Sequence, residues 1–286
     1  MNTRITGIFF IIPLFILGAC SSGKEKNCEG NQKTNILFLH HSTGNRIWLG
    51  DQSNLFSKLR YKITHKPAIV SWFNDYNKSN NTCYIIKDQF FPKKKPYGWH
   101  NYPYDYYNIW IKHGGNKPYM EEPTLDMLTR NYNVIIWKHC FPVSNILPDS
   151  IAPDIDSDIK TLGNYKLQYE ALKSKMHDFP ETKFIVWTGA ALVRQATTEE
   201  NARRARDFFN WVRHQWDEPG DNIYLWDFYQ LETEGDLYMK PEYASGNTDS
   251  HPNPTFSQKV YPLFCQRVVD IIETGGEKTT LTGELK

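Results

Sequence analysis

Two short stretches near opposite ends of the chain carry residue types that together can make an activated nucleophile. Near the start, the apolar run Ile36 to Leu39 ends in His40-His41-Ser42-Thr43-Gly44. Near the end, Asp249-Ser250-His251-Pro252-Asn253 precedes a long segment of helical apolar spacing. A serine hydroxyl is a poor nucleophile at neutral pH and needs a base. Histidine is the usual base, and a carboxylate sets its tautomer and stabilises the imidazolium. Ser42 as nucleophile, His251 as base and Asp249 as orienter fill these roles. Backbone N–H groups at Thr43 or Gly44, with a side-chain amide such as Asn145, would hold the developing oxyanion. Each residue also has a plainer reading. Ser42 could cap the helix that follows it, and His251 could be a loop residue bonded to backbone. Cys140, beside His139, is a second candidate nucleophile, although a strand-end cysteine is more commonly buried and inert. His40, His41 and His139 lack the carboxylate spacing of a metal site. No metal and no cofactor are expected.

These residues act together only if the intervening chain brings them to one place. Ile36–Leu39 is too short for a helix and is apolar throughout, as a strand buried on both faces is. Further strands are expected at Ala68–Phe73, Val134–Trp137, Lys183–Thr188 and Ile223–Trp226. Between them, helical spacing marks Asp51–Lys62, Glu121–Asn131, Tyr165–Phe179 (Leu167, Tyr169, Leu172 and Met176 inward), Thr198–Trp216 and Ser257–Thr274. Strands alternating with helices predict an α/β fold: three α/β/α layers around a mainly parallel five-stranded sheet. Ligands bind such sheets beyond the carboxyl ends of the strands. Ser42, Asn74-Asp75, Ser144-Asn145, Gly189 and Asp227 all follow strands, and Asp249 and His251 lie in the loop before the last helix.

An irregular insertion spans about residues 74–115. Its stretch Tyr97 to Trp110, YGWHNYPYDYYNIW, is half aromatic. Flat rings with polar edges suit the apolar faces of sugars. They equally suit packing a long loop onto the domain. Trp99, Tyr104 and Asp105 here, with His41 beside the serine, are the candidate substrate contacts. Lys93-Lys94-Lys95 reads as a solvated charge run.

The FLHHSTG turn and the late DSHPN loop resemble those of the SGNH/GDSL-type serine hydrolases. The resemblance extends over residues 34–274 and implies a three-layer sheet and ester hydrolysis. It places the nucleophile at Ser42, the base at His251, the orienting acid at Asp249 and one oxyanion donor at the nitrogen of Ser42. The chain departs from the pattern in several places. His-Ser-Thr-Gly replaces Gly-Asp-Ser, and the acid stands two rather than three residues before the histidine, as in a related acetyl-transferring branch. No glycine matches the second block. The Gly-x-Asn-Asp block is absent, leaving Ser144 or Asn145 as positional substitutes.

The first 20 residues read as a signal peptide. Arg4 precedes the apolar run Ile5–Leu17, and Leu17-Gly18-Ala19-Cys20 resembles a bacterial lipoprotein box. That resemblance implies lipidation at Cys20, a flexible tether over residues 21–33 and a membrane-anchored protein of the bacterial cell envelope, at the outer membrane or cell surface. Charge is balanced, Lys+Arg 33 against Asp+Glu 32, which excludes nucleic-acid binding driven by bulk charge. Cys28, Cys83, Cys140 and Cys265 form no recognisable framework, so their pairing stays open. Residues 275–286 read as a frayed polar tail. The expected substrate is an acylated carbohydrate, acetyl being the smallest acyl group, or a small ester. An O-acyltransferase and a noncatalytic glycan-binding lipoprotein are the rival readings.

Overall fold

The computed structural model describes residues 32–50, 66–149 and 152–286, with Leu59 and Lys62 between the first two segments. The signal peptide, Cys20, Cys28, most of the tether and most of the helix expected at Asp51–Lys62 lie outside the described residues.

Five parallel strands form the sheet: β1 (Thr34–His40), β2 (Tyr84–Phe90), β3 (Val134–Trp137), β4 (Lys183–Trp187) and β5 (Ile223–Trp226), in the order β2-β1-β3-β4-β5. Alternate side chains enter two separate cores, because successive residues of a strand point to opposite faces. Leu37, Leu39, Ile135, Trp137, Phe184 and Val186 pack on one side; Ile36, Phe38, Val134, Ile136, Ile185 and Trp187 pack on the other. The first core is covered by α3 (Pro103–Tyr107, continued as a π-turn to Lys112), α4 (Leu125–Leu128), α5 (Leu162–His177) and α6 (Glu199–Trp211, with a π-turn to Trp216). The second is covered by α1 (Ser42–Leu49), α2 (Ala68–Asn80), α7 (Phe228–Thr233) and α8 (Pro254–Thr274). This is the three-layer α/β/α fold. A two-stranded antiparallel hairpin, β6 (Ala244–Gly246) and β7 (Asp249–Pro252), precedes α8.

Several expectations are corrected. Ala68–Phe73 is not a strand but the start of α2. Pro67 sets the entry, and Ile69, Phe73 and Asn77 are buried at four-residue intervals. Asn74 and Asp75 therefore lie within a helix, where Asp75 pairs with Lys78 at the surface. The missing strand is β2, an edge strand with a single neighbour. Its residues Lys87, Asp88 and Gln89 escape an apolar-run criterion because this strand, unlike the other edge strand β5, is mostly half-buried or exposed. The insertion accordingly begins after Phe90. The helix expected from Glu121 starts after Thr124 and spans one turn. Leu167 is exposed, and α5 instead buries Tyr165, Gln168 and Tyr169.

The tail is not frayed. Thr279 is buried, and its amide and hydroxyl donate to Asp270 at 2.8 and 2.6 Å. The Trp226 indole N–H donates to the carbonyl of Thr282, and the Asp227 amide to that of Leu281. Cys83 is disulfide-bonded, whereas Cys140 and Cys265 are free and buried.

Candidate active site

Strand order 2-1-3-4-5 reverses direction between β1 and β3, the switch point at which open α/β sheets bind ligands, beyond the carboxyl ends of the strands. Ser42 follows β1 there, and Cys140-Phe141 follows β3. His41 is extended and supplies no side-chain cap to α1. Among the described residues the amides of the first turn, Ser42, Thr43 and Gly44, have no side-chain partners, as at any uncapped helix N-terminus. Gly44 is required by close approach. A β-carbon there would lie 2.4 Å from His40 Cβ and 3.1 Å from Lys138 Cδ.

The hairpin brings the other two residues. The Val193 amide donates to the buried Ser250 hydroxyl at 3.0 Å, pinning β7 to the segment after β4. Asn253 caps α8 by accepting from the Phe256 amide at 2.9 Å. With the strand held at both ends, Ser42 Oγ and His251 Nε2 are 2.7 Å apart, and His251 Nδ1 is 2.6 Å from Asp249 Oδ1. Asp249 is an obligate acceptor when ionised, so the proton sits on Nδ1 and Nε2 is left to accept from Ser42. Asp249 also accepts the His251 amide at 3.0 Å. Burial pushes the Asp249 pKa upward, but the two N–H groups and the charge of His251 outweigh it and hold the carboxyl below its ordinary range. Phe141 meets the His251 ring edge to face, centroids 4.8 Å apart, and limits its rotation. This arrangement can deprotonate a serine and return the proton to a leaving group.

The other candidate residues are placed differently. Asn145 Oδ1 accepts from Thr197 at 2.9 Å and from Asn201 at 2.7 Å. Among the described residues no hydrogen bond joins it to Ser42 or His251. The Thr197 and Asn201 bonds hold Asn145 by its oxygen and leave its Nδ2 donors, with the amides at the start of α1, as candidate oxyanion donors; the Cys140 amide is committed to Asn101 Oδ1 at 2.8 Å. His41 donates from Nε2 to the Pro92 carbonyl. Burial first, then the charges of Lys138 and His40, lowers its pKa and keeps it neutral. His40 is buried and bonded to the His41 carbonyl and to Asp88.

Trp99 belongs to the core, against Tyr97 and Tyr119. Asp105 is buried and accepts the His100 and Tyr102 amides, both at 3.0 Å, so it caps α3 instead of meeting solvent. Tyr104 packs on Tyr107. No hydrogen bond or ring contact joins these three to Ser42 or His251 among the described residues. The insertion reaches the site through Asn101, which is buried and tied to Phe91, Tyr106, Lys138 and Cys140. Sequence pattern missed Asn101, Phe141 and the proximity of Cys140, whose sulfur is 4.0 Å from Ser42 Oγ. Phe141 and Cys140 were within reach of the strand-end rule. Asn101 left one faint signal, asparagine's tolerance of positive φ, here 65°.

No family model matches the chain, and no curated protein matches it in sequence. Among solved structures, that of a gut microbial diltiazem-metabolizing enzyme, BT4096, is similar at a TM-score of 0.45 and 11% identity. The similarity covers 82% of this chain and 46% of that one, so this chain spans less than half of its length.

Proposed function

We propose that the protein is an SGNH-like serine esterase that removes acyl groups, acetyl first among them, from a glycan at the bacterial cell envelope, to which a lipid on Cys20 tethers it. One observation carries the catalytic part: the unbroken chain of hydrogen bonds Ser42–His251–Asp249. Ser42 Oγ attacks the acyl carbonyl while His251 Nε2 takes its proton. The imidazolium, paired with Asp249, returns that proton to the departing sugar oxygen. Water then attacks the acyl-serine, with His251 again as base, and the carboxylic acid leaves. Charge on the tetrahedral oxygen is met by the free amides at the start of α1. The glycan rests on the aromatic insertion and the lipoprotein-like amino terminus, which are expectations from sequence.

The test is turnover of an aryl acetate together with covalent labelling by a serine-directed phosphonate. Ser42→Ala is expected to abolish labelling and to lower kcat by at least about 10⁴-fold. Labelling that persists in Ser42→Ala refutes the assignment. The absence of a Gly-x-Asn-Asp block favours a second, noncatalytic reading. Glycan binding without turnover by the natural protein selects it.

A further inference from the structure

Lys138 stands immediately after β3 and is completely buried. Its Nζ donates to Cys140 Sγ at 3.6 Å and lies 5.6 Å from the centre of the Trp187 ring. Among the described residues no carboxylate forms an ion pair with it. Glu232 acts on it only through longer-range Coulomb attraction. That carboxyl is itself buried, accepts the Ala191 amide at 2.6 Å and has one oxygen without a partner. Burial pushes its pKa far up, which favours the neutral acid. A thiol and a ring face are weak compensation for a desolvated ammonium. Burial therefore lowers the Lys138 pKa, and a negative charge appearing nearby would restore the ammonium.

The reacting centre is where one would appear. Cys140 Sγ, the acceptor for Lys138, is 4.0 Å from Ser42 Oγ. The lysine stem runs against Gly44 in the first turn of α1, and its charge reaches His41. The ammonium therefore sits behind the uncapped amides that flank the nucleophile. Its field and theirs have the same sign, and a low-dielectric interior magnifies both.

We propose that Lys138 is a positioning residue of this site: its buried ammonium stabilises the developing oxyanion on Ser42 from behind α1, beside the amides of the first turn. The proposal rests on the serine-esterase reading above. A fixed charge aimed at a charge that exists only in the transition state acts on kcat and leaves ground-state binding alone.

The experiment compares the full chain with Lys138→Met, which keeps the stem and removes the charge, in aryl acetate turnover, inhibition by a boronic acid and thermal unfolding. A boronate on Ser42 is a tetrahedral anion and mimics the charged state. Expected are a kcat lower by about 10²-fold with KM within about twofold, boronate affinity weakened by a similar factor, and a Tm unchanged or raised by about 2–4 °C, since a lone buried charge is gone. Unchanged kcat and boronate affinity overturn the proposal, as does a lowered Tm accompanying the loss, which marks a structural role. Should Lys138→Met not fold, Glu232→Gln decides. Boronate affinity within about twofold of the natural protein supports the proposal, because a neutral Glu232 offers Lys138 no counter-ion. A change above tenfold shows that Glu232 already neutralises Lys138 and overturns it. A natural protein with neither turnover nor phosphonate labelling fails the esterase reading itself, and this proposal with it.

Discussion

Replacing Asn101 tests how the aromatic insertion supports the catalytic rim. Its Nδ2 donates to the carbonyls of Phe91 at 2.9 Å and Lys138 at 3.2 Å, and meets the Tyr106 hydroxyl at 3.1 Å. Its Oδ1 is the acceptor for the Cys140 amide, and its backbone carbonyl accepts from His139 Nδ1 at 2.9 Å. In Asn101→Ala the Cys140 N–H and the Phe91 carbonyl lose their side-chain partner in a region closed to water, at about 1–3 kcal/mol for each buried group left unpaired. Lys138 O keeps the Tyr106 hydroxyl, 2.9 Å away, and loses less. Alanine held at φ 65° adds about 1 kcal/mol of backbone strain. The expected total is about 3–7 kcal/mol, read by urea unfolding and equivalent to a Tm fall on the order of 10 °C. Asn101→Gly separates the parts: it relieves the strain, about 1 kcal/mol, and leaves the unpaired groups. Phosphonate labelling of Ser42 should slow in both variants, because Cys140 borders the nucleophile. A loss below about 1 kcal/mol in Asn101→Ala, or full recovery in Asn101→Gly, refutes the view that this side chain braces the rim.

Asp249→Asn should lower kcat by about 10²–10⁴-fold in aryl acetate assays at unchanged Tm; the lower end follows from the exposed carboxylate, 47% accessible, whose place water can partly take. Asp217 provides a pH test. Burial, then the charge of Asp221, raises its pKa to about 6 against the pull of Arg267 and Lys173. The folded state thus holds this proton more tightly than the unfolded state, so stability is greatest below about pH 4 and declines until about pH 6 is passed. Asp217→Asn should add about 1–2 kcal/mol at pH 8, a value discounted for partial exposure, and nothing at pH 4. An equal effect at both pH values refutes this. Deleting residues 277–286 removes the partners of Asp270, Arg267 and the Trp226 indole. It should cost about 3–5 kcal/mol in denaturant unfolding, whereas a dangling tail would cost nothing.

Sequence alone determined the parts whose surroundings are uniform. β1, β3, β4 and β5 are buried on both faces, so their residues are apolar without interruption and stand out at once. Helices α5, α6 and α8 bury one side against the sheet and carry the matching period. The position of Ser42 followed from β1, because the carboxyl ends of parallel strands share a rim; Asp249 and His251 reach it on the β6–β7 hairpin. Tertiary structure alone decided what depends on a neighbour. β2 is polar because little of it is buried, while the apolar start of α2 serves a helix equally well. The last twelve residues are polar yet held, since Asp270 and Arg267 in α8 offer buried partners that no local pattern announces. Asn145 is oriented through its oxygen by Thr197 and Asn201, more than fifty residues away. The burial of Lys138 likewise depends on what surrounds it: a lysine after a strand is ordinarily solvated, and only the packing of Gly44, Trp187 and Cys140 around this one places its charge behind the serine.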